Sequence, residues 1–121
     1  MKQFLIFAAI LILTSCAYNK DEAPAPSTPV VTGPKITYTD HTKKLFDTYC
    51  ITCHAPLLTQ ANFPLTSYSE VTFGNYASIG GIIEKRVLIQ QNMPPSGSQA
   101  GQLTPAEMDT LQMWIDQGAP Q

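Results

Sequence analysis

Cys50-Ile51-Thr52-Cys53-His54 sets two thiols and an imidazole at positions i, i+3 and i+4. On a helical turn those three side chains share one face. Three chemistries use such a set: a zinc site, a redox-active dithiol, and the attachment of a c-type haem. A structural zinc site takes four ligands, and beyond this stretch the chain offers His41 but no second pair of ligands. A thioredoxin-like dithiol needs its C-x-x-C at a helix start beside a parallel sheet. Here the pair comes after a helical stretch, and no segment alternates convincingly as a strand. C-x-x-C-H is the signature of c-type haem attachment. Both sulfurs can add to the haem vinyl groups as thioethers, and the adjacent imidazole then meets the iron from the same side. The spacing therefore favours one covalent haem c on Cys50, Cys53 and His54.

One histidine leaves a sixth iron position to fill. Met93 lies about forty residues on, in the run Asn92-Met93-Pro94-Pro95-Ser96-Gly97. A residue before proline is pushed toward extended backbone, and the two prolines stiffen the chain beyond it. A thioether needs such a fixed approach to act as distal ligand. Met108 and Met113 fall on the last helical stretch, where methionine usually fills gaps in a core. His41 falls on the helix leading into the attachment site, which puts it on the proximal side or in solvent. Position thus favours Met93. Lys85 and Arg86, just before the loop, read as a solvated helix face, with a haem propionate or an acidic partner as the alternative. The Ser, His and Asp residues show no triad context and the carboxylates are scattered, so no catalytic residue is assigned.

These residues need elements to position them, and the pattern predicts an all-α domain of three or four helices. Thr39 or Asp40 can cap a helix carrying Leu45, Phe46 and Tyr49 at helical spacing and running straight into Cys50. Pro56 and Pro64 break the loop after it. Ser67-Tyr68-Ser69-Glu70 has the form of a capping box that starts a short second helix, weakened at its end by Gly74. Ser78 to Gln90 reads as a third helix, with Gly80-Gly81 inside it. Thr104-Pro105-Ala106-Glu107 is a capping box with proline at the first helical position. Met108, Leu111 and Ile115 come next as one stripe, widened by Trp114. Gly118 ends this helix, with Pro120 just beyond.

The 121-residue chain divides into three parts. Residues 1–15 read as a signal peptide: Lys2 supplies a positive start, and Phe4 to Leu13 is an apolar run too short to span a bilayer. Leu13-Thr14-Ser15-Cys16 resembles the lipobox of bacterial lipoproteins, which implies cleavage before Cys16 and lipidation of its thiol. Residues 16–35 form a proline-rich linker, able to hold a domain up to roughly 50 Å from the lipid. Residues 36–121 form one small domain. About 85 residues bury a limited core, so a covalent cofactor would serve as a staple. The net charge of −2, or −3 once Lys2 is removed, excludes the strongly basic footprint of a nucleic-acid binder. Lys20-Asp21-Glu22 resembles the surface-export tags of Bacteroidota-type lipoproteins.

A helix ending in CITCH, a later NMPP loop and a terminal LTPAEMDTLQMWIDQGAP together resemble a class I cytochrome c domain. More narrowly, they resemble the small monohaem cytochrome c lipoproteins of Bacteroidota-type bacteria. The resemblance covers Asp40 to Pro120, although Leu57 to Tyr76 carries no motif of the family. It implies a cytochrome c-like fold around one haem, with His54 and Met93 as axial ligands. It also implies that Leu111, Trp114 and Ile115 face Leu45, Phe46 and Tyr49. The function expected is one-electron transfer in the cell envelope, as a lipid-anchored shuttle or as the haem module of a respiratory chain. Redox proteins would be its partners, the outer membrane its expected anchorage, and no small-molecule substrate is expected. The alternative is a five-coordinate haem protein that senses a small gas or reduces peroxide.

Overall fold

The computed structural model of the chain describes residues 32–56 and 63–121. Residues 1–15, read above as a signal peptide, Cys16 and most of the stretch read as a linker lie outside the described residues, as do residues 57–62. Within them the chain is helical, with no strand.

The first helix begins as a π-helical turn, Tyr38–Thr42, and continues as α1, Lys43–Tyr49. Its cap is Thr37, not Thr39 or Asp40 as the sequence predicts. Thr37 is extended and its hydroxyl accepts the Asp40 N–H at 3.2 Å. Thr37-Tyr38-Thr39-Asp40 offers three capping side chains in four positions. Burial decides among them, because a helix starting at Tyr38 puts Tyr38 and Thr42 inside. On the outer face Lys43 pairs with Asp47 one turn on, an exposed contact worth a few tenths of a kcal/mol.

Helix α2, Tyr68–Val71, is a single turn that starts with the expected capping box, Ser67 accepting from Glu70 N–H and Glu70 reaching back to the Ser67 N–H at 3.0 Å. A 3₁₀ turn, Phe73–Asn75, comes next, bent at Gly74 with φ of 54°. The third helical segment is shorter than the sequence predicts. Residues 78–81 form turns, and the helix starts at Ile82 and runs into a π-helical stretch, Glu84–Ile89. The reason lies in the glycine pair. Gly80 has φ of 76°, outside helical space. A Cβ on Gly81 would meet the Tyr76 carbonyl oxygen at 2.4 Å, so only glycine passes there. Glu84, buried, replaces the missing helical start: it accepts from Gly80 N–H and from Gln112 Nε2 at 3.1 Å.

Helix α3, Pro105–Asp116, is the longest. Its capping box, Thr104 with Glu107, and its proline at the first turn are as the sequence predicts. At the other end the N–H of Gly118 bonds the Ile115 carbonyl at 2.9 Å and that of Ala119 bonds Trp114 at 2.8 Å. This double bond pattern is a Schellman motif, which needs the left-handed backbone that Gly118 takes with φ of 80°.

The core joins α1 to α3. Trp114 is fully buried, and its ring meets Phe46 edge-on with centroids 5.9 Å apart. Tyr38 lies among Phe46, Tyr68 and Trp114 at 5.4 to 6.1 Å. Leu45, Leu111 and Ile115 complete this wall. The Tyr38 hydroxyl and the Thr42 hydroxyl are buried with no partner among the described residues. Each costs about 1–3 kcal/mol, whereas burying a tyrosine ring of about 150–250 Å² at about 25 cal/mol per Å² returns about 4–6 kcal/mol. Ring packing therefore wins, and burial raises the Tyr38 phenol above its ordinary pKa.

Candidate functional site

Beside this core lies a cavity of about 450 Å³, within the usual range of roughly 300–1,000 Å³ for cofactor and ligand sites. Cys50, Cys53 and His54 line it from the end of α1. The N–H groups of Cys53 and His54 both bond the Cys50 carbonyl, at 3.1 and 2.8 Å. CITCH is thus one closed turn, which sets the two thiols and the imidazole along the cavity. Both cysteines are free thiols, Cys50 half-buried and Cys53 exposed.

The turn is clamped from residues 63–65. Phe63 carbonyl oxygen lies 2.8 Å from His54 Nδ1, and Leu65 N–H donates to the His54 carbonyl at 2.9 Å. A carbonyl only accepts, so Nδ1 is the donor in this contact, and in the neutral ring the lone pair is then on Nε2. That is the second contact found behind most metal-binding histidines. The Phe63 ring stands edge-on to the imidazole at 6.0 Å and packs on Tyr76 at 4.2 Å, which fixes the plane of His54. Sequence reading missed Phe63, because its contribution is a main-chain carbonyl that any residue could supply.

Met93 lines the same cavity from about forty residues downstream. Its N–H and that of Asn92 both donate to the Arg86 carbonyl, at 3.2 and 3.0 Å. Pro94 is buried, and the carbonyls of Pro94 and Pro95 accept from Gln102 Nε2 at 2.8 and 3.2 Å. The loop is held from both sides, by the third helical segment and by the approach to α3. Gln102 is a second residue that the sequence did not single out. Met108 and Met113 do not line the cavity: Met113 packs against the core, and the Met108 sulfur accepts from Gln91 Nε2 at 3.9 Å. His41 is exposed, its Nδ1 accepting the Thr37 N–H at 3.2 Å.

The electrostatics separate the possible chemistries. Burial pushes the Cys50 thiol up to about 12, with Cys53 beside it adding to the rise. Cys50 also caps the C-terminal end of α1, where the helix dipole disfavours an anion. A reactive dithiol requires the opposite, a depressed pKa at a helix N-terminus. Among the described residues no three His, Cys, Asp or Glu side chains gather as a metal-binding group. Zinc needs ligands converging on one point, whereas haem attachment spreads two sulfurs and one imidazole along the edge and face of a plate. The donor set and the apolar walls suit a haem. No protein-family model, curated protein or solved structure matches the chain.

Proposed function

We propose that the chain is a monohaem c-type cytochrome that carries single electrons in a bacterial envelope, tethered by lipid on Cys16. The observation that carries this reading is the meeting of Met93 with Cys50, Cys53 and His54 around one apolar cavity. When bound, the haem supplies a ferric–ferrous couple that accepts one electron from a donor protein and passes one on. Cys50 and Cys53 would hold the group as thioethers, each S–H added across one vinyl bond, sulfur to one carbon and hydrogen to the other. His54 offers Nε2 because Phe63 holds Nδ1–H. Met93 offers its sulfur from a backbone fixed by Arg86 and Gln102. Leu45, Val87 and Leu103 line the walls; against them the more charged ferric state would be disfavoured, and histidine–methionine ligation would raise the potential further.

The test is a pyridine haemochrome spectrum of protein made in a host with cytochrome maturation machinery, after acid–acetone extraction. Pigment retained on the polypeptide with saturated vinyl groups is the expected result. Loss of all pigment sinks the reading. Carbon monoxide then probes the sixth site: the reduced wild-type protein is expected not to bind it at native pH, and Met93→Ala is expected to bind it. Binding by the wild type would make the chain an open-site haem protein that senses a small gas or turns over peroxide.

A further inference from the structure

The His54 imidazole is held by a residue outside any helix. Residues 63–65 are irregular, yet Phe63 meets His54 twice, with its carbonyl oxygen 2.8 Å from Nδ1 and with its ring edge-on at 6.0 Å. An irregular segment has no hydrogen-bond ladder of its own to fix a carbonyl, so the aim of this one depends on what holds the Phe63 side chain. That support is Tyr76. The two rings lie with centroids 4.2 Å apart and planes tilted by 32°, the closest ring pair among the described residues.

Tyr76 is itself fixed through its main chain. Its N–H donates to the Phe73 carbonyl at 3.0 Å, and its carbonyl accepts from the Ile83 N–H at 3.2 Å. A Cβ on Gly81 would strike that same carbonyl, so the glycine turn packs directly on the Tyr76 backbone. Ile83 lies at the start of the third helical segment. Further along it, the Arg86 carbonyl holds the Asn92 and Met93 N–H groups. Phe63, His54 and Met93 line the cavity, whereas Tyr76 does not. Its ring therefore bears on His54 through Phe63.

We propose that Tyr76 is a positioning residue for His54, an inference that rests on the functional reading above. Its ring keeps the Phe63 carbonyl on Nδ1–H, and its backbone ties that clamp to the segment from which the Met93 loop departs. A carbonyl on Nδ1–H raises the basicity of the imidazole and so strengthens Nε2 as a ligand. The contact with Phe63 is ring to ring, so the Tyr76 hydroxyl takes no part. The close approach that Gly81 allows is what brings Tyr76 within reach of both sides.

The test uses full-length holoprotein as wild type, Tyr76→Phe, Tyr76→Leu, Phe63→Leu, the double variant of the two leucine substitutions, and Ile115→Val. A pyridine haemochrome spectrum of each preparation is taken first. Two readouts follow: solvent exchange of the His54 Nδ1–H by NMR, and the iron–histidine stretch of the reduced proteins by resonance Raman in a Met93→Ala background. Tyr76→Leu is expected to speed the exchange roughly two- to tenfold, the factor to which loss of one aromatic pair corresponds. It is also expected to lower the stretching frequency, because a weaker carbonyl bond leaves the imidazole less anionic. Phe63→Leu keeps the carbonyl but removes the ring, and is expected to do the same, with no further change in the double variant. Tyr76→Phe is expected to match the wild type. Ile115→Val loosens the buried core away from the cavity and is expected to move neither readout. Unchanged readouts in Tyr76→Leu or in Phe63→Leu would overturn the proposal. Equal shifts in Ile115→Val would reduce the effect to general loosening and overturn it too, and additive effects in the double variant would overturn the route through Phe63. Covalent haem with those outcomes leaves the functional reading intact, whereas absence of covalent haem overturns both.

Discussion

Glu107 shows how one side chain can serve two ends of the fold. Its carboxylate closes the capping box of α3, accepting from Thr104 N–H and Oγ1 at 2.8 Å each, and it accepts from the Tyr49 hydroxyl at 2.9 Å. Tyr49 precedes Cys50, so this bond ties the last turn before CITCH to the start of α3. The bonds from Thr104, then that from Tyr49, hold Glu107 below the usual carboxylate range, and the same partner raises the Tyr49 phenol. A carboxyl whose folded pKa is depressed stabilises the fold fully above its unfolded value, about 4.3. That contribution is lost as pH falls through the folded pKa. Glu107→Gln keeps the shape and the cap but removes the charge. It is expected to cost under about 1 kcal/mol at neutral pH, since the group is solvent-screened. The gap from the wild type should close below pH about 4. Chemical denaturation at a series of pH values checks this; a gap that persists at low pH would show that the charge is not what Glu107 contributes. At this scale the sequence was legible where chemistry is local. The Thr104 and Ser67 capping boxes could be read because side chain and partner lie within four residues. Phe63 could not be read, because its carbonyl is shared by every residue and only the fold aims it at His54.

The element that matters most for the site is the loop from Asn92 to Gln102, which has almost no secondary structure. Its shape is held by the Arg86 carbonyl on one side and Gln102 on the other, and by short turns between, Ser98 N–H to Pro95 and Gly101 N–H to Ser98. Proline content made the loop visible in the sequence, since two prolines exclude a regular helix. What braces it was not visible, because a glutamine seven and eight residues from its partners has no periodic signature. The third helical segment departs from its pattern for a related reason: apolar residues from Ile79 onward match a helical period, but the contact between Gly81 and the Tyr76 carbonyl overrides it. Gln102→Ala removes both donors to Pro94 and Pro95. It is expected to cost about 0.5–1.5 kcal/mol and to speed amide exchange at Ser98 and Gly101. Exchange in α3 should be unchanged. Hydrogen exchange followed by NMR checks this. Unaltered protection at Ser98 and Gly101 would mean that the turns hold themselves and that Gln102 is idle.

At the scale of the whole molecule the question is how so short a domain closes on itself, with a cavity on one side of its core. The answer lies in the last residues. Pro120 carbonyl accepts from the Trp114 indole at 2.8 Å and from the Tyr38 N–H at 2.8 Å, and the Ala119 carbonyl accepts from the Tyr68 hydroxyl at 2.9 Å. Three elements thus end on two adjacent carbonyls: the start of the first helix, α2, and α3 itself. The Gln117 amide adds a second tie, its Oε1 accepting from Ile36 N–H at 2.9 Å and its Nε2 donating to the Pro34 carbonyl at 2.8 Å. The sequence marked Gly118 and Pro120 as a helix stop, which they are, but a stop signal says nothing about what the tail then touches. That depends on Tyr38, Tyr68 and Trp114 already being packed together. Deleting Ala119, Pro120 and Gln121 removes the partners of all three donors and the Ala119–Trp114 bond of the Schellman motif. At about 1 kcal/mol for each bond, with the indole and Tyr38 N–H left unpaired against a core, the loss is expected to be about 3 kcal/mol or more. Against a total of roughly 5–15 kcal/mol for a natural domain, that is a large share. Because the ties lie in the core and not in the cavity walls, the deletion should lower the midpoint of urea unfolding while CITCH remains chemically intact. Equilibrium urea unfolding of the truncated and full chains, in the same cofactor state, checks this. An unchanged midpoint would mean that ring packing around Trp114 closes the domain without its tail.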